Sequence, residues 1–465
     1  MQPASSSAIA LNRFGLGARP GEPPPAQPRR WLLAQFERYE ARPAPWAGLP
    51  ASPALVVDYA EQFRQLGRQA SEADAQAARR RLARETRAHY QAAVQARAAS
   101  ALQTEAPFVE RLVHFWANHF AVSIDKPAVT NLAGSFEAEA IRPHVLGRFE
   151  HLLLAAERHP AMLLYLDQVR SIGPGSAAAR RALRANPERR AGLNENLARE
   201  ILELHTLGVR SGYGQDDVTE FARALTGWSI AGAGPGGWRA DTAAEPGSFM
   251  FYPALHEPGA RTLLGRRYEA GGAEQAAAVL RDLATAPATA HHLATKLARH
   301  FVADQPPPAL VERLAAVYLA SGGDLPAVYR ALIEAPQTWA TAEAKFKTPW
   351  DWAVSAWRGL GRRDLENLPV APLLVQLGQP VWRPGSPAGF DDVAASWAGP
   401  DALVRRVEVA QRLAAAAGPL VDARALAPQL LPGMVSEATG DAIARAESPS
   451  MALALLLASP EFLRR

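Results

Sequence analysis

From Trp31 to the C-terminus, apolar residues return at helical spacing, and the pattern breaks at length only once, between Trp228 and Leu264. Recurrence at i, i+3, i+4 and i+7 builds amphipathic helices and does not fit strands, whose side chains alternate with a period of two. The spacing predicts helices over 31–43, 52–103, 106–122, 129–158, 193–207, 216–226, 273–303, 306–321, 323–334, 348–361 and 399–416, with short ones near the C-terminus. The interruption, "SIAGAGPGGWRADTAAEPGSFMFYPALHEPGARTLLG", is rich in Gly and Pro and allows at most a short β-hairpin through "FMFYP" and "TLLGRRY". Irregular stretches beyond ~12–15 residues in a compact protein tend to be lids or binding loops. The fold class expected is all-α: one large multi-helix body over 1–465. It divides naturally into helical halves 1–228 and 265–465 around a lid-like loop at 229–264. The charged 52–103 segment ("AQAARRRLARETRAHYQAAVQARAA") reads as a solvated helical hairpin or arm.

Composition narrows the function classes. Apolar residues make up 48% and charged residues 21%, which places the chain among folded proteins, and a net charge of +4 on 465 residues does not call for a nucleic-acid partner. The chain has no cysteine, which removes disulfides, thiolate metal sites and cysteine nucleophiles together. The longest apolar run, "MALALLLA", is far short of the ~20 residues of a membrane span. The first residues, "MQPASSSAIALNRFGLG", lack the basic-then-apolar order of a signal peptide. The expected location is therefore the cytoplasm, or the periplasm if a leader has been removed. There is no G-x-S-x-G, G-x-x-x-x-G-K-[ST] or H-E-x-x-H.

The stretch "GLNENLAREILELHTLGV", Gly192 to Val209, is unusual for a helix. Asn194 suits the N-cap and Gly208 the C′ position, giving a helix over 195–207. At about 100° per residue, Asn196, Arg199, Glu200 and Glu203 share one arc about 100° wide, while leucines and Ile201 fill much of the rest. Such a helix is expected to be buried on most sides, with a narrow polar stripe facing a cleft or an ion network. The bland alternative is an Arg199–Glu203 ion pair with Glu200 solvated. His205 lies some 160° from Glu203 on this wheel and is expected to bond a carbonyl or sit favourably at the helix C-terminus.

"PFVERLVHFWANHFAVS" repeats the pattern. Glu110, His114 and Asn118 form an i, i+4, i+8 stripe that reads as the wet face. His119 falls on the apolar side, between Phe108 and Leu112 and close to Trp116, where it needs a partner or a pocket. Asp167 closes the apolar run of "MLLYLDQVRS". His256 sits in the long loop, where a lid could deliver it to a site. The arginine run "ARRALRANPERRAG" precedes the 195–207 helix and suits anions. Trp228, Trp238, Trp382 and Trp397 neighbour Gly, Pro or Ser, as sugar-stacking tryptophans do.

These residues carry a resemblance. "LNRFGLGARPGE", "RLVHFWANHFAVS", "MLLYLDQVRS", "NENLAREILELHTLGVRSGYGQDDVTEFARALTGW", "FYPALHEPGARTLLG", "KLARHFVADQPPPALVERLA", "KFKTPWDWAVSAWRGLG" and "SPAGFDDVAASWAGPDALVRR" resemble, in order, the bacterial domain-of-unknown-function 1800 family. The resemblance implies a large, mostly helical bacterial protein, often encoded beside a sulfatase-like partner protein. Asp167, Asn196, Arg199, Glu200, Glu203, His205, Trp116, Asn118, His119 and His256 match its signature positions. Two departures are Ala117, where a His is expected, and Gln168, where an Asn is expected.

The function expected on these grounds is hydrolysis of a polysaccharide or sulfated glycan in a pocket between the 107–122 and 195–207 helices, lidded by 229–264. Glu203 or Glu200 would act as base or nucleophile, Asp167 or the other Glu as acid, and His119 and Arg199 would orient or stabilise charge. Asn118, Asn196, Trp116, His256 and Trp228 would contact substrate. One alternative places a divalent metal among Asp167, Glu200, Glu203, His119 and His256. Another is a non-enzymatic helical scaffold that partners a sulfatase-like protein.

Overall fold

Prolines in first turns divide this chain into helices. Pro107, Pro287, Pro308, Pro349, Pro400 and Pro449 each open one, where the missing N–H costs nothing and the fixed φ is already helical. The protein, seen here as a computed structural model, is described over residues 5–66, 71–186, 192–232, 245–340, 345–365, 368–418 and 421–465. It is 63% helical and 4% strand, so the all-α reading holds, with two small hairpins as additions.

Several expected helices are divided. The 273–303 segment is Ala273–Ala284 followed by Pro287–Phe301, because Pro287 starts a new first turn. The 129–158 segment is broken around Pro143 and Gly147 into short turns before Phe149–Arg158. Within 52–103, Ser52–Leu66 packs against Glu72–Gln103, and the "arm" reading fails for the second half of the longer helix. Ala93, Val94, Ala96, Ala98, Ala101 and Leu102 are buried in the main core.

The two hairpins pair differently from expectation. Trp228–Ile230 pairs antiparallel with Phe249–Phe251, in register Ser229 opposite Met250. Arg261–Leu263 pairs with Arg266–Tyr268 through a tight turn at Leu264 and Gly265, both at positive φ. "FMFYP" and "TLLGRRY" thus belong to separate hairpins, each with its nearest chain neighbour as partner. Residues 233–244 of the expected lid, Trp238 among them, lie outside the described residues.

The Pro107–His119 helix is the centre of the molecule. All its residues except Asn118 are buried. The Glu110–His114 stripe is therefore not a wet face. Glu110 accepts two hydrogen bonds from Arg142 at 2.8 Å each, with both side chains 1% exposed, so the charge is neutralised inside the protein. Trp116 is a core residue whose indole N–H bonds the Tyr329 hydroxyl at 2.6 Å. No helix among the described residues is long and apolar enough to cross a membrane.

Candidate functional site

The Pro287–Phe301 helix presents His292, Lys296 and His300 at i, i+4 and i+8, with Arg299 beside them, while Leu293, Leu297 and Phe301 are buried. This polar face lies against the end of the Pro107–His119 helix, the start of the Pro349–Gly359 helix and the loop around Phe390. Together they enclose a cavity of about 340 Å³, toward the small end of ligand pockets. Its walls include Trp350, Trp382, Phe115 and Phe390.

Two of the histidines are oriented by a helix end. Asn194 Oδ1 accepts from the Asn196 amide and starts the helix, which runs as an α-turn over Asn196–Glu200 and then widens into a π-turn over Ile201–His205. Carbonyls at a helix terminus need outside donors. His292 Nε2 donates to the Leu204 carbonyl at 3.0 Å, and His119 Nε2 to the His205 carbonyl at 3.1 Å. A carbonyl can only accept, so both rings carry their proton on Nε2 and a lone pair on Nδ1. His119 Nδ1 is buried without a partner. Gly208, at φ +92°, lets the chain turn away here, and a Cβ on it would stand 2.8 Å from His292 Nδ1. His205 itself bonds Glu157 at 2.8 Å with both side chains buried, rather than a carbonyl.

Burial pushes the His119 ring far below its ordinary pKa, reinforced by Lys296 nearby. Burial and Lys296 also bring His292 down to about 4. Lowered values in the folded state mean that the unfolded chain binds these protons more tightly. Stability is then complete above about pH 6.5 and is lost as the pH falls from there toward 4. Melting curves at pH 7.5 and pH 5 are expected to differ by several degrees, with the acid sample less stable; equal midpoints would contradict the neutral assignment.

His300 is held differently. Its Nδ1 lies 2.5 Å from Asp392 Oδ2, and its Nε2 has no hydrogen-bond partner. Burial lowers its pKa, partly offset by Asp392. Burial alone would raise the Asp392 carboxyl, yet His300, Lys345 and Arg465 together hold it far below the usual carboxylate range. Lys345 lies 3.6 Å and Arg465 Nη2 3.6 Å from Asp392 Oδ1. Asp351 is brought to about 2 against its burial by Arg111 at 2.9 Å and Arg465 at 3.2 Å. Asp351 and Asp392 are thus neutralised from behind. Arg97, stacked 4.5 Å over the Trp350 ring and 5.4 Å over Trp382, pairs with Glu137 at 3.0 Å.

The Phe390 loop is fixed by Asn118, whose amide donates to the Phe390 carbonyl at 2.9 Å and whose Oδ1 accepts from its N–H at 2.8 Å. Gly389 makes this seat fit: at φ +83°, a Cβ there would come within 2.3 Å of the Asn118 carbonyl. Trp382 is itself in the left-handed region, at φ 50°, a conformation that costs a bulky residue roughly 1–3 kcal/mol. Its N–H bond to Glu137 at 3.1 Å and its carbonyl bond from Ile124 at 2.9 Å hold it there.

Of the residues singled out in the sequence, His119, Asn118, His114 and Trp382 line this cavity. Glu200, Glu203, Arg199, Asp167, Asn196, Trp116, His256 and Trp228 do not. Leu204 is what the 195–207 segment contributes to the cavity wall. Glu200 is half-buried, and burial raises its pKa against His205, with Glu203 adding to the rise. Arg199 turns back to Glu195 at 3.3 Å and Gln215 at 3.0 Å, so the Arg199–Glu203 pair does not form. The wheel fails beyond Glu200 because a π-turn carries more residues per turn than the 100° step assumes. Asp167 pairs with Lys126 at 2.6 Å, both about a third exposed. His256 bonds the Thr226 carbonyl at 2.8 Å, and the Trp228 indole bonds the Ala273 carbonyl at 3.3 Å. Asn196 is exposed. Among the described residues no three His, Asp or Glu side chains converge as metal ligands, so the metal alternative has no ligand set there. The 179–192 arginine run falls partly outside the described residues.

Lys296, Arg299, His300, His292 and Asp392 escaped the sequence reading. The signal for the helix residues is present in "HHLATKLARHF": His292, Lys296 and His300 at i, i+4 and i+8, each followed by a buried apolar residue.

The fold and this base-lined cavity define a mostly helical protein with a pocket between its helices. A family model described as "Protein of unknown function (DUF1800)" matches residues 9–464, and the chain belongs to that family. No curated protein and no solved structure matches the chain.

Proposed function

We propose that the chain is a hydrolase that takes a glycan into the cavity and activates water at His300. The observation that carries this reading is the His300–Asp392 pair at 2.5 Å, with His300 in the cavity wall and its buried Nε2 without a hydrogen-bond partner. Asp392 holds the proton on Nδ1, and burial keeps the ring neutral, so the Nε2 lone pair is available at neutral pH. Water would give its proton to Nε2 while its oxygen bonds the reacting centre. The leaving oxygen would take a proton from the Lys296 ammonium. Trp350, Trp382 and Phe390 offer flat apolar walls of the kind sugar rings stack on. In this reading His300 replaces Glu203 and Glu200 as base, and Asn118 positions the wall rather than the substrate.

The scaffold reading, with a sulfatase-like protein as partner, draws on the buried Glu110–Arg142 network. It gives no role to a cavity in which Lys296 and Arg299 have no carboxylate within 4 Å among the described residues. A panel of neutral and sulfated glycans incubated with wild type and His300→Gln tests the proposal. Turnover by wild type should fall about 10²–10⁴-fold in the variant, the usual contribution of a general base. It should also fall as pH drops below the ordinary histidine range, where His300 gains its proton. No turnover across the panel, or equal rates in both proteins, would remove the reading.

A further inference from the structure

We infer that Lys296 and Arg299 form an oxyanion subsite, so that the ligand of this cavity carries a sulfate, phosphate or carboxylate group on a hydroxylated body. The inference rests on the pocket proposed above and adds the chemical class of what it holds.

Lys296 lines the cavity and has no hydrogen bond and no carboxylate within 4 Å among the described residues. Arg299 spends its Nε on the Asp304 carbonyl at 3.2 Å, and its terminal nitrogens face no carboxylate within that distance. The carboxylates that could have served them are already committed. Asp392 is bound by His300, Lys345 and Arg465, Asp351 by Arg111 and Arg465, and Asp304 by Lys345 at 2.5 Å. Asp391, at the exposed rim, accepts from Ser396 at 2.8 Å. Both residues are only partly buried, Asp392 attracts Lys296 from beyond ion-pair distance, and neither cation has a carboxylate within 4 Å among the described residues.

The rest of the lining specifies what is attached to the anion. His119 Nδ1 is a buried acceptor with no donor, and a ligand hydroxyl would complete it. The aromatic walls suit the apolar faces of a sugar ring. Cations for a charged group, an imidazole acceptor for a hydroxyl and flat walls for C–H faces are complementary to a charged sugar or a molecule like it.

The probes are sodium sulfate and sodium phosphate, titrated into the full chain by calorimetry and by thermal shift, with sodium chloride at matched ionic strength as reference. Sulfate stabilises proteins generally by exclusion from their surfaces, so Lys296→Met and Arg299→Met are titrated alongside. The expected result is saturable binding to wild type that weakens at least tenfold in each variant, with His300→Gln binding like wild type. Equal shifts in wild type and variants, or no saturation in wild type, would overturn the inference. The two proposals fail separately. Sulfate binding without glycan turnover refutes the hydrolase and leaves the subsite. Turnover limited to neutral glycans, without sulfate binding, refutes the subsite and leaves the hydrolase.

Discussion

Lys296→Met is expected to melt about 3 °C above wild type at pH 7, because it removes a partly buried cation with no carboxylate within 4 Å among the described residues. Burial, opposed by Asp392 and reinforced by Arg299, brings the ammonium pKa from 10.5 to about 8. At about 1.4 kcal/mol per pKa unit, the charged form costs roughly 3 kcal/mol. Below pH 8 both folded and unfolded chains hold the proton, so the whole cost is present at pH 7. It is relieved as the pH rises from about 8 toward 10.5, where the unfolded chain still binds a proton that the folded one has released. The advantage of the variant should therefore shrink across that window. A methionine that leaves the midpoint unchanged or lower at pH 7 would show that the lysine is paired. Gained stability with lost ligand binding is the signature of a residue kept for function.

Glu110→Gln carries the opposite expectation. Glu110 and Arg142 are 1% exposed and share two hydrogen bonds at 2.8 Å, with Arg142 Nε also on the Ala41 carbonyl at 3.0 Å. Removing one charge strands the other, at a cost of about 3–5 kcal/mol, a fall in melting temperature of about 3–5 °C for a chain of this length. The double variant Glu110→Gln/Arg142→Met should lose less than the two singles added together, since the second change removes the stranded cation. Strict additivity in chemical denaturation would rule out the pair as a unit.

The contrast between these two charged residues shows what the sequence could and could not carry. Helical spacing was legible because burial repeats along the chain, and Pro-initiated turns were legible in principle at Pro287, where one expected helix is two. His119 stood out because an imidazole among Phe108, Leu112 and Trp116 has to find a partner, and it does, at the His205 carbonyl. Glu110 was misread as solvated because a polar stripe on one helix looks the same whether water or Arg142 faces it. Arg142 lies 32 residues away, and spacing is silent on that distance. Lys296 was missed for the converse reason: an isolated lysine on an amphipathic helix usually reaches solvent, and here it lines the cavity together with Phe390. The π-turn at 201–205 shifted the phase of the wheel for Glu203 and His205, and no residue type in "ILELH" announces such a turn.

The pocket is also assembled from very distant parts of the chain. Arg97, His119, Leu204, His300, Trp350 and Asp392 meet at one cavity, and Phe346 pairs with Arg464 in a backbone bridge that sets Arg465 behind Asp351 and Asp392. Closing such loops is entropically slow and comes late. During synthesis at ≈ 5–20 residues per second, the helix bearing Lys296 and Arg299 leaves the ribosome several seconds before residue 465. Through that interval its cationic face stands open to any anionic molecule nearby. The order of synthesis thus leaves the Pro287–Phe301 helix, for that interval, without the parts of its wall that come from Trp350, Phe390 and Asp392.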